Sequence, residues 1–254
     1  MKPITVLVLV FAACQGAPPA KPTKDLDPKD PQSVVEYAAH NTRTQKSYET
    51  KFKIRLTPPK GDVLDYTGQC VWVSPGILFI HYTASGGDEK HIVRVGNRVW
   101  VHHSLVGWVT NEEAGMPGAG RGIQNPDEVL AVLARHTEGA KLREPGVVDL
   151  NFTGEAIEKI MKEQANQGSF DWKQSNAAVE LHVDSDNRLK KFVCQATLQS
   201  TDPNVKGQAK YSAEVDATGY NGATELKFLD EQKKEIKLSK EIRQAIDTLL
   251  KEKK

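Results

Sequence analysis

The chain has almost no net charge: 34 lysines and arginines face 33 aspartates and glutamates, leaving +1. No long-range field therefore draws in nucleic acid or an acidic partner. The basic end Lys251 to Lys254 is short and reads as a solvated terminus. Beyond residue 13 no apolar run is long enough to span a bilayer. No repeat of fixed period occurs. There is no Gly-x-Ser-x-Gly elbow for acyl transfer and no Gly-Lys-Ser/Thr for a phosphate loop. Cysteine is scarce, with three in the whole chain and no histidine-based activation pattern around them. Paired carboxylates such as Glu112-Glu113 sit in a polar segment. No catalytic constellation emerges, and no cofactor is expected.

One apolar run is present, at the start. Ile4 to Ala13 follows Lys2 and has the length of a signal-peptide core, too short for a permanent span. It ends at Phe11-Ala12-Ala13-Cys14. Small residues directly before a cysteine resemble the lipobox of bacterial lipoproteins, with Phe11 where that motif usually has Leu. The resemblance implies cleavage before Cys14 and lipid on its thiol. An ordinary signal peptide is the rival, but Gln15-Gly16-Ala17 puts a large polar residue where a small one is needed. A buried N-terminal strand is excluded by the linker directly after it. Gln15 to Lys29 is rich in Pro, Ala, Lys and Asp, shows no apolar period, and reads as an extended spacer. Residues 1–13 are thus expected as signal peptide, 14–30 as lipidated cysteine and linker, and 31–254 as a single α+β domain. Gln15, not Asp, after the cysteine leans toward outer-membrane sorting. The expected location is the cell envelope, facing the periplasm. With Cys14 lipidated, Cys70 and Cys194 remain as a pair. They are either a disulfide in an oxidising compartment or two unrelated buried thiols.

Past the linker, the period of the apolar residues sets the elements. Asp30-Pro31 caps and opens a helix with Val34, Val35, Ala38 and Ala39 at helical spacing, running to about Gln45. The period then becomes two. Tyr48, Thr50, Phe52, Ile54 and Leu56 alternate with Glu49, Lys51, Lys53 and Arg55. After the turn Pro58 to Asp62 come strands at Val63–Ser74, Ile77–Ala84, His91–Val95 and Arg98–His103. They are separated by Ser74-Pro75-Gly76, Ser85 to Asp88 and the hairpin signal Gly96-Asn97. A glycine-rich stretch, Asn111 to Gln124, precedes a helix starting at Asn125-Pro126, with Val129, Leu130, Val132 and Leu133 as its stripe. Val147–Phe152 is a strand, and Thr153 caps a helix bearing Ile157, Ile160 and Met161. Four more strands are expected at Ala177–Val183, Leu189–Leu198, Lys206–Val215 and Ala223–Phe228. Ser239 caps a last helix with Ile242, Ala245, Ile246, Leu249 and Leu250 on one face. Runs of antiparallel strands with segregated helices mean α+β.

This order resembles the LolA, LolB and LppX-like envelope proteins. The resemblance rests on the export signal, the first helix, the pattern from Tyr66-Thr67-Gly68 to Pro75-Gly76, and the helix carrying Pro126, Leu130 and Leu133. It covers most of residues 31–230, and the last helix has no counterpart in it. It implies a large curved antiparallel sheet, a half-barrel, with helices covering or plugging its concave face. It also implies a non-enzymatic role in binding or transferring lipid or lipoprotein acyl chains. The candidate lining is Phe52, Ile54, Leu64, Tyr66, Trp72, Leu78, Ile80 and Val93, with simple packing onto helices as the bland alternative. Which parity faces inward stays open. Gly115 to Gly122 lacks the strand and helix of a dinucleotide site. It is a loop, or a lid in which Trp108, Met116 and Ile123 make the apolar contacts. The membrane is reached through the lipid anchor. An envelope protein partner, bound by the same fold with a filled core, is the competing function.

Three smaller patterns are set aside. His102-His103 point to opposite faces of a strand and cannot chelate together, and His81 and His91 show no Cys or carboxylate at ligand spacing, so no metal is expected. Asp184, Asp186 and Asn187 lack the glycine and later glutamate of a calcium loop and read as a tight turn. Asn151-Phe152-Thr153 matches a glycosylation acceptor, but Thr153 serves better as a helix cap.

Overall fold

The computed structural model describes residues 22, 25–113, 126–163, 170–201, 207–223, 225–230 and 232–252, with backbone alone at 126–128 and 160–163. Four helices and eleven strands occur among them. In chain order they are α1 (Pro31–Arg43), β1 (Ser47–Thr57), β2 (Leu64–Val73), β3 (Ile77–Ala84), β4 (Glu89–Val95), β5 (Arg98–His103), β6 (Gly107–Thr110), α2 (Pro126–Leu133), β7 (Lys141–Glu144), β8 (Val147–Phe152), α3 (Gly154–Glu163), β9 (Phe170–Val183), β10 (Leu189–Ser200), β11 (Gln208–Tyr220) and α4 (Lys240–Lys251). The strands form one open antiparallel sheet in the order β6-β5-β4-β3-β2-β1-β11-β10-β9-β8-β7. The α+β class is as the sequence predicts.

Local chemistry explains the boundaries. The Asp30 carboxylate accepts from the backbone N–H groups of Gln32 and Ser33, and Pro31 occupies the first turn, where its missing N–H costs nothing. In β1 the alternation holds: Tyr48, Thr50, Ile54 and Leu56 are buried, while Lys51, Lys53 and Arg55 are exposed. Gly96 turns the β4–β5 hairpin at φ +58°, where a side chain would be strained. A Cβ on Gly154 would lie 1.8 Å from the carbonyl oxygen of Lys173, so only glycine lets α3 start this close to β9. Ser239 caps α4, its hydroxyl accepting from the Ile242 N–H.

Some expectations are corrected. Ala223–Phe228 is not a strand; an isolated bridge between Leu229 and Glu235 comes after it, and Phe228 turns into a core instead. The short edge strands β6 and β7 carry too few apolar alternations to be read from sequence. The strand expected from Ala177 begins at Phe170. Leu250 is 38 % exposed and lies off the buried face of α4.

The described residues divide into two compact units interleaved along the chain. One comprises those of 1–44, 52–65 and 123–216; the other comprises those of 45–51, 66–122 and 217–254. In the first unit α1 buries Val34, Val35, Ala38, Ala39 and Thr42. It packs on α2, whose Leu130, Val132 and Leu133 are buried, and touches β8 and β10. The Thr42 hydroxyl accepts from the Leu189 N–H at 2.8 Å, tying α1 to β10. In the second unit Val71, Ile77, Phe79, Val93, Val95 and Trp100 form a core with Phe228, Leu238 and Ile242. That core lies on one face of β2 to β5. The opposite face of the same strands, bearing Trp72, Leu78, Ile80, Ile92 and Val101, is buried as well.

Candidate functional site

Antiparallel partners project to the same face, so the register of the first unit can be read as rows across the sheet. Val148, Leu181, Phe192 and Val215 make one row on the apolar face. Leu150, Val179, Cys194 and Ala213 make the next. Phe152, Ala177, Ala196 and Tyr211 make the third, followed by Leu198 and Ala209. Side chains shrink to alanine in the middle of the third row. Beside them stands Tyr211, 3 % exposed. Its hydroxyl has no hydrogen-bond partner among the described residues. Burial, with Cys194 nearby, pushes the Tyr211 phenol well above its ordinary range. Burial likewise pushes the Cys194 thiol up to about 12. A buried hydroxyl without a partner costs about 1–3 kcal/mol, so this row is apolar with one unmet polar demand.

The reverse face of these strands is polar. Arg143 bonds Asp149 and Glu180, and Lys191 bonds Glu214. A groove of about 650 Å³ is lined by the reverse-face side chains Asn151, Asn176, Gln195, Thr197 and Ser212, by Arg55 and Lys210, and also by residues of the third row, Phe152, Ala177, Ala196 and Tyr211. Arg55 is held by Asp65 at 2.7 Å. Hydrogen-bonding groups and apolar ones share this groove, with the apolar lining the larger part.

The residues expected to line a cavity are distributed as follows. Tyr66, Trp72, Leu78 and Ile80 share one face of the second unit, because Trp72 pairs with Leu78, Cys70 with Ile80 and Tyr66 with Ala84. Tyr48 stacks on Trp72 at 5.1 Å. Val93 pairs with the flank of Phe79 and belongs to the opposite face, within the core that α4 covers. Phe52, Ile54 and Leu64 lie in the first unit, with Ile54 buried and the other two half-buried. Trp108, expected in a lid, sits on β6, donates its indole N–H to the Lys237 carbonyl at 3.0 Å and packs on Phe228. Met116, Ile123 and Cys14 lie outside the described residues. No bridge joins Cys70 and Cys194. Both are buried thiols, and β1 and β11 stand between their strands in the sheet order.

The strand register assembles one cluster that residue spacing alone did not suggest. His81 and His91 are cross-strand partners on β3 and β4. Their rings stack at 4.8 Å with 21° between planes. Glu89, two residues before His91, shares its face, with a carboxylate oxygen 3.9 Å from His81 Nε2. The missed signal was Glu-x-His, the spacing that puts two side chains on one side of a strand. His102 meets His91 edge-on at 5.9 Å, and Phe228 does so at 5.3 Å. Burial, with His81 and His102 adding to it, pushes His91 down to about 4, so its ring is neutral at pH 7. His103 is exposed on the other face, as strand alternation requires.

Among solved structures the chain is similar to the lipoprotein LppX of Mycobacterium tuberculosis, at 11% identity and TM-score 0.39, covering 77% of this chain and 97% of that one. It is similar to a LolA superfamily protein of Nitrosomonas europaea at 13% identity and TM-score 0.33, covering 79% and 95%. It is also similar to the MucA/MucB complex of Pseudomonas aeruginosa at 15% identity and TM-score 0.33, covering 78% and 59%. Two of these come from the group that the sequence itself resembles. The likeness is one of fold. No protein-family model matches the sequence, and no curated protein matches it.

Proposed function

We propose that the protein is a non-enzymatic envelope lipoprotein that binds or transfers lipid acyl chains on the apolar face of its first unit. It is tethered through Cys14 and faces the periplasm from the outer membrane. The observation that carries this reading is the row Phe152, Ala177, Ala196 and Tyr211, where small side chains stand beside a buried hydroxyl that has no partner among the described residues. Close-packed interiors rarely leave such a group unmet. A tail ending in an ester or carboxyl answers both halves of the row. Methylenes pack on the alanines, each contributing about 0.8 kcal/mol on leaving water, and the Tyr211 O–H donates to the polar end.

A second reading, an envelope interaction module, is favoured by the groove on the reverse face. Its amides, hydroxyls and the cations Arg55 and Lys210, set among apolar groups, suit a protein segment with both polar and apolar side chains. Native mass spectrometry of the membrane-extracted protein, N-terminus included, separates the two. The expected result is acyl mass on Cys14 plus a second, non-covalent lipid that falls away in Ala196→Leu. Acylated protein without bound lipid would transfer the weight to the groove. A chain cleaved elsewhere, with Cys14 unmodified, would remove the tether.

A further inference from the structure

We infer that the second unit holds a divalent transition-metal ion, zinc foremost, through His81, Glu89 and His91. The donor atoms of these three residues lie within 4.8 Å of one another. Two imidazole nitrogens and one carboxylate oxygen form a borderline donor set. It suits zinc, nickel or copper(II), and neither the all-oxygen shells of calcium and magnesium nor the thiolate sites of copper(I).

The placement is built by the fold, not by a mobile surface. β3 and β4 are paired through seven successive residues from Ile77 to Thr83, with His81 opposite His91. Two buried nitrogens there, His81 Nε2 and His91 Nδ1, have no hydrogen-bond partner among the described residues. Buried imidazole nitrogens normally find a partner, and a metal ion would satisfy both together. His91 is only 5 % exposed, so the site would be anchored on a buried ligand.

A tetrahedral ion with ligands at about 2.0–2.2 Å draws its donors to roughly 3.4 Å apart, so the cluster must tighten. The side chains that would move are the accessible ones. His81 is 29% and Glu89 39% exposed, while His91 is fixed between His81, His102 and Phe228. Three protein donors leave a fourth position for water or a carboxylate.

The test is zinc binding by the full-length protein after chelator treatment and dialysis, read by elemental analysis and by the visible spectrum of the cobalt(II)-loaded form. One equivalent is expected, with a four-coordinate cobalt spectrum. Outer hydrogen-bond partners alone are worth roughly 10- to 100-fold in metal affinity, so Glu89→Gln and His81→Gln should each weaken binding by about 100-fold or more. His103→Ala, on the opposite face, should leave it unchanged. Both informative substitutions are at accessible positions, so they test the site even if His91→Asn fails to fold. Absence of retained zinc in the wild type, or affinity unaltered in Glu89→Gln and His81→Gln, would overturn the assignment.

Discussion

Replacing Tyr211 by phenylalanine separates two effects that usually travel together. The ring stays and only the hydroxyl leaves. Tyr211 is 3 % exposed and its hydroxyl lacks a partner among the described residues, so the lipid-free protein should gain from the change. Removing an unmet buried hydroxyl relieves about 1–2 kcal/mol. For a domain of this size that raises Tm by about 2–8 °C. Lipid affinity should move the other way. One neutral hydrogen bond contributes about 0.5–1.5 kcal/mol net, so the variant should bind an acyl ester or fatty acid roughly two- to tenfold more weakly. The assay is thermal unfolding of delipidated protein, with lipid titration of the same preparations. A delipidated Tyr211→Phe protein less stable than wild type by about 1 kcal/mol or more would show the hydroxyl to be satisfied, and the reasoning would fail.

Two further outcomes are expected from the cores. Ile242 is fully buried and is the anchor of α4, so Ile242→Ala should cost about 2–5 kcal/mol, seen as a lower urea midpoint. Cys194 is raised from 9.0 to about 12 in the folded chain, so between those values the unfolded chain sheds a proton that the folded one keeps. Stability contributed by the neutral thiol is therefore whole below pH 9. It falls by about 1.4 kcal/mol per pH unit as pH rises. Urea unfolding of wild type and Cys194→Ala from pH 8 to 11 should show a shallower decline in the variant. Thiol labelling should reach Cys194 only when the chain unfolds.

Most of the first meander was legible because one face of β1 is wet. Glu49, Lys51, Lys53 and Arg55 mark the parity directly, and Gly96-Asn97 marks a hairpin by backbone requirement. Strands buried on both faces gave no such mark. Leu78, Phe79 and Ile80 are all buried, so sequence could not say that Val93 shares a face with Phe79 and not with Leu78. The partner of α4 was hidden for a related reason. Phe228 sits in a segment whose composition suggests a strand, yet it acts as an isolated anchor in a core. The histidine cluster needed the β3–β4 register, which is set by the length of the Ser85–Asp88 turn. Of the candidate row in the first unit, only the alternation was visible. The lone hydroxyl of Tyr211 depends on what packs around it.

The number of strands has a consequence of its own. In an antiparallel ladder, direction alternates with position, so the first and eleventh places point the same way. Those places belong to β6 and β7, which are successive strands in the chain. They could not be joined antiparallel without gaining or losing a strand. An odd count thus leaves two margins that antiparallel pairing cannot join, and each is only four residues long. Margins that short offer little template for stacking copies of the protein edge to edge. A single added strand would change the parity, and with it the obstacle to closing the ladder.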